Sequence, residues 1–99
     1  MHMLKREIDK KAGQVKVTFV IPHNPEQARV WVVGDFNGWD PAATPLIKRA
    51  NNTRSASVLL KPGRYAFRYY TANGEWFNDA DADAFEVNEH GTHNAVVVV

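Results

Sequence analysis

The residues of this 99-residue chain best suited to chemistry are aromatic rings held in turns, not nucleophiles or paired carboxylates. Residues 33–41 read V-G-D-F-N-G-W-D-P, so Phe36 and Trp39 lie among Asp35, Asn37, Gly38, Asp40 and Pro41. Those five neighbours all favour tight or left-handed backbone, which can fix a ring at the surface of a rigid scaffold. An indole held in that way is a platform for the C–H face of a sugar ring, whose hydroxyls stay in water at the rim. A second tryptophan, Trp76, follows the strong turn signal Asn73-Gly74 and is expected to be exposed for the same reason. Arg68 lies on the preceding strand on the same face as Tyr70, within reach of Trp76 across the hairpin. The third tryptophan, Trp31, sits in mid-strand between Val30 and Val32 and is expected to pack on a sheet face or in the core. Phe36 is expected to anchor its loop inward.

The elements that must position these side chains are almost all strands. Val15, Val17, Phe19 and Ile21 alternate with Lys16, Thr18 and Val20, which predicts a strand closed by Pro22. Further strands are predicted at 29–33, 46–49, 54–60, 64–71, 75–77, 84–87 and 94–99, with turn residues at 51–52, 61–63 and 73–74. In the 64–71 strand, Tyr65, Phe67 and Tyr69 fall on the core side, with Ala66, Arg68 and Tyr70 opposite. Residues 5–11 contain helix formers but too few apolar positions for a helix face. Seven or eight short antiparallel strands in about a hundred residues predict an all-β, immunoglobulin-like sandwich. Residues 1–13 read as a charged N-terminal segment and 14–99 as one β-sandwich domain.

Three ordered signatures carry a resemblance to a known family. G-D-F-N-G-W spans 34–39. P-G-R-Y-A-F-R-Y spans 62–69, with N-G-E-W at 73–76, and G-T-H-N spans 91–94 before the apolar last strand. Over about 15–99 the chain resembles the family 48 carbohydrate-binding modules of early-set sandwich type. These include the glycogen-binding domain of the AMP-activated protein kinase beta subunit and the amino-terminal domains of branching enzymes and isoamylases. The resemblance implies non-catalytic binding of α-glucan (glycogen, starch or malto-oligosaccharide), alone or as a module of a larger glycogen- or starch-active enzyme. Carried over by motif, the stacking tryptophans are Trp39 and Trp76, and Arg68 stands where the kinase domain has lysine. The polar loop residues are Thr92 and Asn94. His90 replaces a leucine that passes beside the sugar chain, and Tyr70 joins it as a further candidate.

Other chemistries find little support. A net charge of +1 offers no field for nucleic acid or anionic membrane. With no cysteine there is neither a disulfide framework nor a thiolate metal site. Asp79, Asp81 and Asp83 alternate without the glycine and terminal glutamate of a calcium loop, and read as a solvated acidic loop. His90 and His93 lack a third ligand for zinc. Asp35, Asp40, Glu75 and Asp79 could supply carboxylates for hydrolysis, but a small sandwich has no cleft to grip a scissile bond. No catalytic residue, metal or cofactor is therefore expected. The charged start and short apolar runs predict a cytoplasmic protein with no membrane span. A second class of function is a sandwich that binds a protein partner by strand addition, since 95–99 would be sticky if unpaired.

Overall fold

The computed structural model describes residues 3–9 and 13–99. Its elements run β1 (Met3–Asp9), β2 (Gln14–Pro22), β3 (Val30–Gly34), a 3₁₀ turn (Asp35–Asn37), β4 (Ile47–Lys48), β5 (Thr53–Leu60), β6 (Arg64–Thr71), β7 (Trp76–Phe77), β8 (Ala84–Val87) and β9 (His93–Val98). All pairings between named strands are antiparallel. One sheet has the order β1-β2-β5-β4; the other has β3-β6-β9-β8, with β7 also paired to β6. The chain is an all-β, immunoglobulin-like sandwich. No helix among the described residues is long and apolar enough to cross a membrane.

Alternation explains the core. Val17, Phe19 and Ile21 of β2 face Val30 and Val32 of β3, Phe67 and Tyr69 of β6, and Ala95 and Val97 of β9, all in one buried cluster. Phe67 meets Phe19 edge-on at 5.0 Å between ring centroids, and Tyr69 lies 5.1 Å from Phe77. Each such large side chain contributes about 1.5–3 kcal/mol of burial. Tyr65, expected on this side, packs against the cluster and donates its hydroxyl to the Lys61 carbonyl at 2.8 Å. Val33, Ala66 and Val96 are also buried, yet alternation puts them on the opposite side of the second sheet. They form a small apolar floor beneath its outer surface.

Two readings from sequence change. The charged segment 1–13 was expected to lie outside the domain, but Met3–Asp9 pairs with β2 along its whole length. Leu4 packs on the core, while Arg6 donates through Nε to the Val98 carbonyl (3.2 Å) and pairs with Asp83. An arginine at an inward position thus clasps the two sheets where a period-2 apolar pattern was needed to see a strand. The acidic loop is also not simply solvated. Asp79 is fully buried, accepting the Tyr69 hydroxyl at 2.5 Å and the Asp81 N–H at 2.8 Å, and Asp83 accepts the Val98 N–H at 2.7 Å. The apolar stretch ending the chain is paired on both sides, because β9 lies between β6 and β8.

Burial, then the charge and hydrogen bond of Asp79, raise the Tyr69 phenol well above its ordinary value near 10. In the unfolded chain the phenol ionises first, so the unfolded state holds fewer protons above pH ~10. Stability from this group is complete below that pH and declines as pH rises beyond it. Tyr69→Phe should flatten this alkaline loss in urea melts. At pH 7 it should cost about 1–3 kcal/mol, since the buried carboxylate loses a donor.

Candidate functional site

Three loops converge over the outer side of the β3-β6-β9-β8 sheet, and the first is built around a glycine. Gly34 ends β3 opposite Phe67, and a Cβ there would lie 2.4 Å from the Ala66 carbonyl and 2.8 Å from the Phe67 Cβ. Only hydrogen fits, so backbone meets backbone as the chain leaves the sheet. Asn37 then ties the loop to the strand it left. Its Oδ1 accepts the Gly34 N–H (3.0 Å), and its Nδ2 donates to the Val32 carbonyl and Thr44 Oγ1, both at 3.0 Å. Phe36 stacks on Phe19 at 5.5 Å, the inward anchor its position suggested.

This scaffold aims Trp39. Gly38 and Trp39 are both left-handed, with φ of 66° and 58°. For tryptophan that conformation costs about 1–2 kcal/mol, and a tight set of bonds holds it. The Trp39 N–H donates to the Gly34 carbonyl at 2.9 Å, and its indole Nε1–H to Asp35 Oδ1 at 2.9 Å. The other Asp35 oxygen accepts the Ala66 N–H at 2.8 Å, continuing the β3–β6 ladder one step after β3 has ended. With the indole donor engaged by Asp35, the ring faces are what Trp39 can offer a ligand.

The second loop joins β6 to β7. Thr71 and Glu75 close it, with Thr71 N–H on the Glu75 carbonyl and Gly74 N–H on the Thr71 carbonyl, both at 2.9 Å. Three residues, 72–74, form the bend and only Gly74 is left-handed (φ 83°). A two-residue Asn-Gly turn needs both central residues left-handed, so this is the longer bulged form. Trp76 emerges 42% exposed opposite Tyr70, with their ring centroids 4.5 Å apart. Tyr70 in turn lies 6.5 Å from Trp31, so a row of three rings crosses the outer sheet face. Tyr70 supports Trp76 from the side and does not border the depression described below. Arg68 holds its guanidinium 5.9 Å from the Trp76 ring centroid. Its Nε is buried and makes no hydrogen bond within the protein.

The third loop, between β8 and β9, is organised by Asn88, a residue the sequence reading passed over. Its Oδ1 accepts the N–H groups of His90 (2.9 Å) and Thr92 (3.2 Å). Its Nδ2 donates to Thr92 Oγ1 (2.8 Å) and Asn94 Oδ1 (3.1 Å). Asn94 therefore has its carbonyl oxygen engaged from within, which leaves its amide N–H groups to meet a ligand. An asparagine four residues before a threonine, with Gly91 in the left-handed region between them, is the signal that could have been read.

Trp39, Arg68, Trp76, His90, Thr92 and Asn94 all border one open depression of about 740 Å³. Asp35, Asn88, Glu86 and Glu89 join them, and Ala66 forms part of the floor. His90 is exposed, 3.6 Å from the Glu89 carboxylate. No group of three or more potential metal ligands occurs among the described residues. The depression thus combines two ring platforms, a guanidinium beside one of them and a set of amide and hydroxyl groups. Replacing Asp35 with alanine should release the Trp39 indole. Its fluorescence emission should shift and its anisotropy fall, while the core, measured by thermal melting, loses no more than about 1–2 kcal/mol.

Comparison with known proteins agrees with this architecture. The family model for the glycogen recognition site of AMP-activated protein kinase matches residues 15–99. The 1,4-alpha-glucan branching enzyme GlgB of Aquifex aeolicus is 33% identical over 73 residues, covering 71% of this chain and 12% of the enzyme. The corresponding enzyme of Rhodopirellula baltica is 34% identical over 85 residues, 81% of this chain and 11% of the enzyme. The chain therefore spans about a tenth of the length of these relatives. Among solved structures, a maltogenic amylase from S. marinus superposes with a TM-score of 0.77 at 21% identity, over 100% of this chain and 16% of that one. That likeness is one of fold.

Proposed function

We propose that this chain, which belongs to the family of the glycogen recognition site of AMP-activated protein kinase, binds α-glucan without acting on it. Successive glucosyl units stack on Trp39 and Trp76, while Arg68, Thr92 and Asn94 hold the rim hydroxyls. The observation that carries this reading is the shared depression: two turn-mounted indoles with a guanidinium beside one of them. Stacking one sugar face removes apolar surface from water at about 25 cal/mol per Å², on the order of 1–2 kcal/mol per ring. Two rings with a few hydroxyl contacts support weak binding, with a dissociation constant of roughly millimolar to micromolar. The open shape suits a segment of a polymer, which must enter and leave from the side. The carboxylates at the rim, Glu86 and Glu89, lie on a surface without walls, which favours holding a glucan over cleaving it. Within a longer glucan-branching enzyme, a domain of this kind would hold substrate close to where it is branched.

A protein-binding reading draws on the exposed edge of β8, where Phe85 and Val87 are 49% and 67% exposed. The two readings separate in one titration. Maltoheptaose or β-cyclodextrin should change the tryptophan fluorescence saturably. Trp39→Ala and Trp76→Ala should each weaken binding by roughly tenfold or more, the equivalent of 1–2 kcal/mol. Arg68→Met should weaken binding, and Arg68→Lys should restore part of it. If glucan leaves the spectrum unchanged, or both tryptophan variants bind like the parent, the glucan reading fails and the β8 edge becomes the surface to examine.

A further inference from the structure

A second depression, of about 280 Å³, is lined by His23, Arg29, Leu46, Ile47, Lys48 and Arg54. No carboxylate borders it. Its most unusual member is Arg54, only 8% exposed. The guanidinium donates through Nε to His23 Nδ1 (3.1 Å) and otherwise to the carbonyls of Ala28 (2.9 Å), Asn24 (3.2 Å) and Gln27 (3.1 Å). All four acceptors are neutral. Buried charges are ordinarily paired with an opposite charge, and this one is paired only with dipoles.

The surroundings add to the imbalance. Because His23 Nδ1 accepts from Arg54, the neutral ring carries its proton on Nε2, which is thereby a donor. Partial burial and the neighbouring charges of Arg54 and Lys48 lower the His23 pKa, so the ring stays neutral near pH 7. Arg29 and Lys48, both exposed, complete the rim. The concavity therefore combines three fixed cations and a ring N–H over an apolar floor of Leu46 and Ile47. Tetrahedral oxyanions fit such a set better than single-charge groups, since several donors can each take a separate oxygen.

We infer that this depression is a phosphate-binding site, accepting either a phosphate monoester on a saccharide or free inorganic phosphate. It lies apart from the aromatic depression and shares no lining residue with it, and only the saccharide source of the phosphate rests on the glucan reading. A bound phosphate would supply the negative charge that Arg54 lacks and would accept the His23 Nε2–H.

The test is proton NMR of the histidine rings across pH, in sodium phosphate and in sodium chloride of equal ionic strength. Phosphate should shift the His23 ring signals saturably, with those of His90 and His93 unmoved. The double variant Arg29→Gln/Lys48→Gln, changed only at exposed positions, should melt like the parent yet bind phosphate roughly tenfold more weakly. Trp39→Ala should leave the phosphate response intact. Glucose 6-phosphate binding more tightly than inorganic phosphate would assign the site to a saccharide-borne group, and equal binding to free phosphate. The inference is overturned if chloride reproduces the phosphate effect, or if the double variant responds as the parent does.

Discussion

The site depends on one carboxylate taking over where a β-ladder stops. Gly34 permits the chain to turn out of the sheet against the backbone of β6, and Asp35 then spans the gap, one oxygen on a backbone N–H of β6 and the other on the Trp39 indole. The first bond belongs to the sheet and the second to the loop. A ring at the surface is thereby held by the same network that holds the sandwich. The left-handed backbone at Trp39 persists because this network and the Asn37 bonds over-determine it.

The other two loops follow a similar rule by different means. In the β6–β7 hairpin, a bulged turn and a neighbouring aromatic set the tilt of Trp76. In the β8–β9 loop, a single asparagine replaces most of the backbone pairing that a longer strand would have given. Each loop is rigid for reasons internal to itself, and each is mounted on an adjoining strand of one sheet. Preorganisation of this kind matters most for weak ligands, since little ordering cost remains to be met on binding.

Much of this was legible in the residues. Eight strands announce themselves by alternation and by Gly, Asn and Pro at their ends, and the three loop signatures bring their side chains to one depression. What alternation missed were charged residues in apolar positions. Arg6 sits in a core-facing slot of β1 and hides that strand; Asp79 and Asp83 look like a solvated run but bind Tyr69, Arg6 and a backbone amide. Arg54, read simply as the start of a strand, organises the whole 23–28 connection through its carbonyls. Long-range partners of this sort have no local spacing, so no window of sequence reveals them. Asn88 was missed for a gentler reason: its role is set by a loop whose other members were read and it was not.

The engaged nitrogen of Trp39 has a wider meaning. A platform that offers only its π-face imposes no polarity and no fixed starting point on a homopolymer drawn across it. Every repeat of a long chain is then an equivalent docking position, and occupancy grows with the number of repeats through degeneracy alone. For the proposed glucan, such a ring face would let a strand slide past, while the polar groups beside it set the strand's orientation.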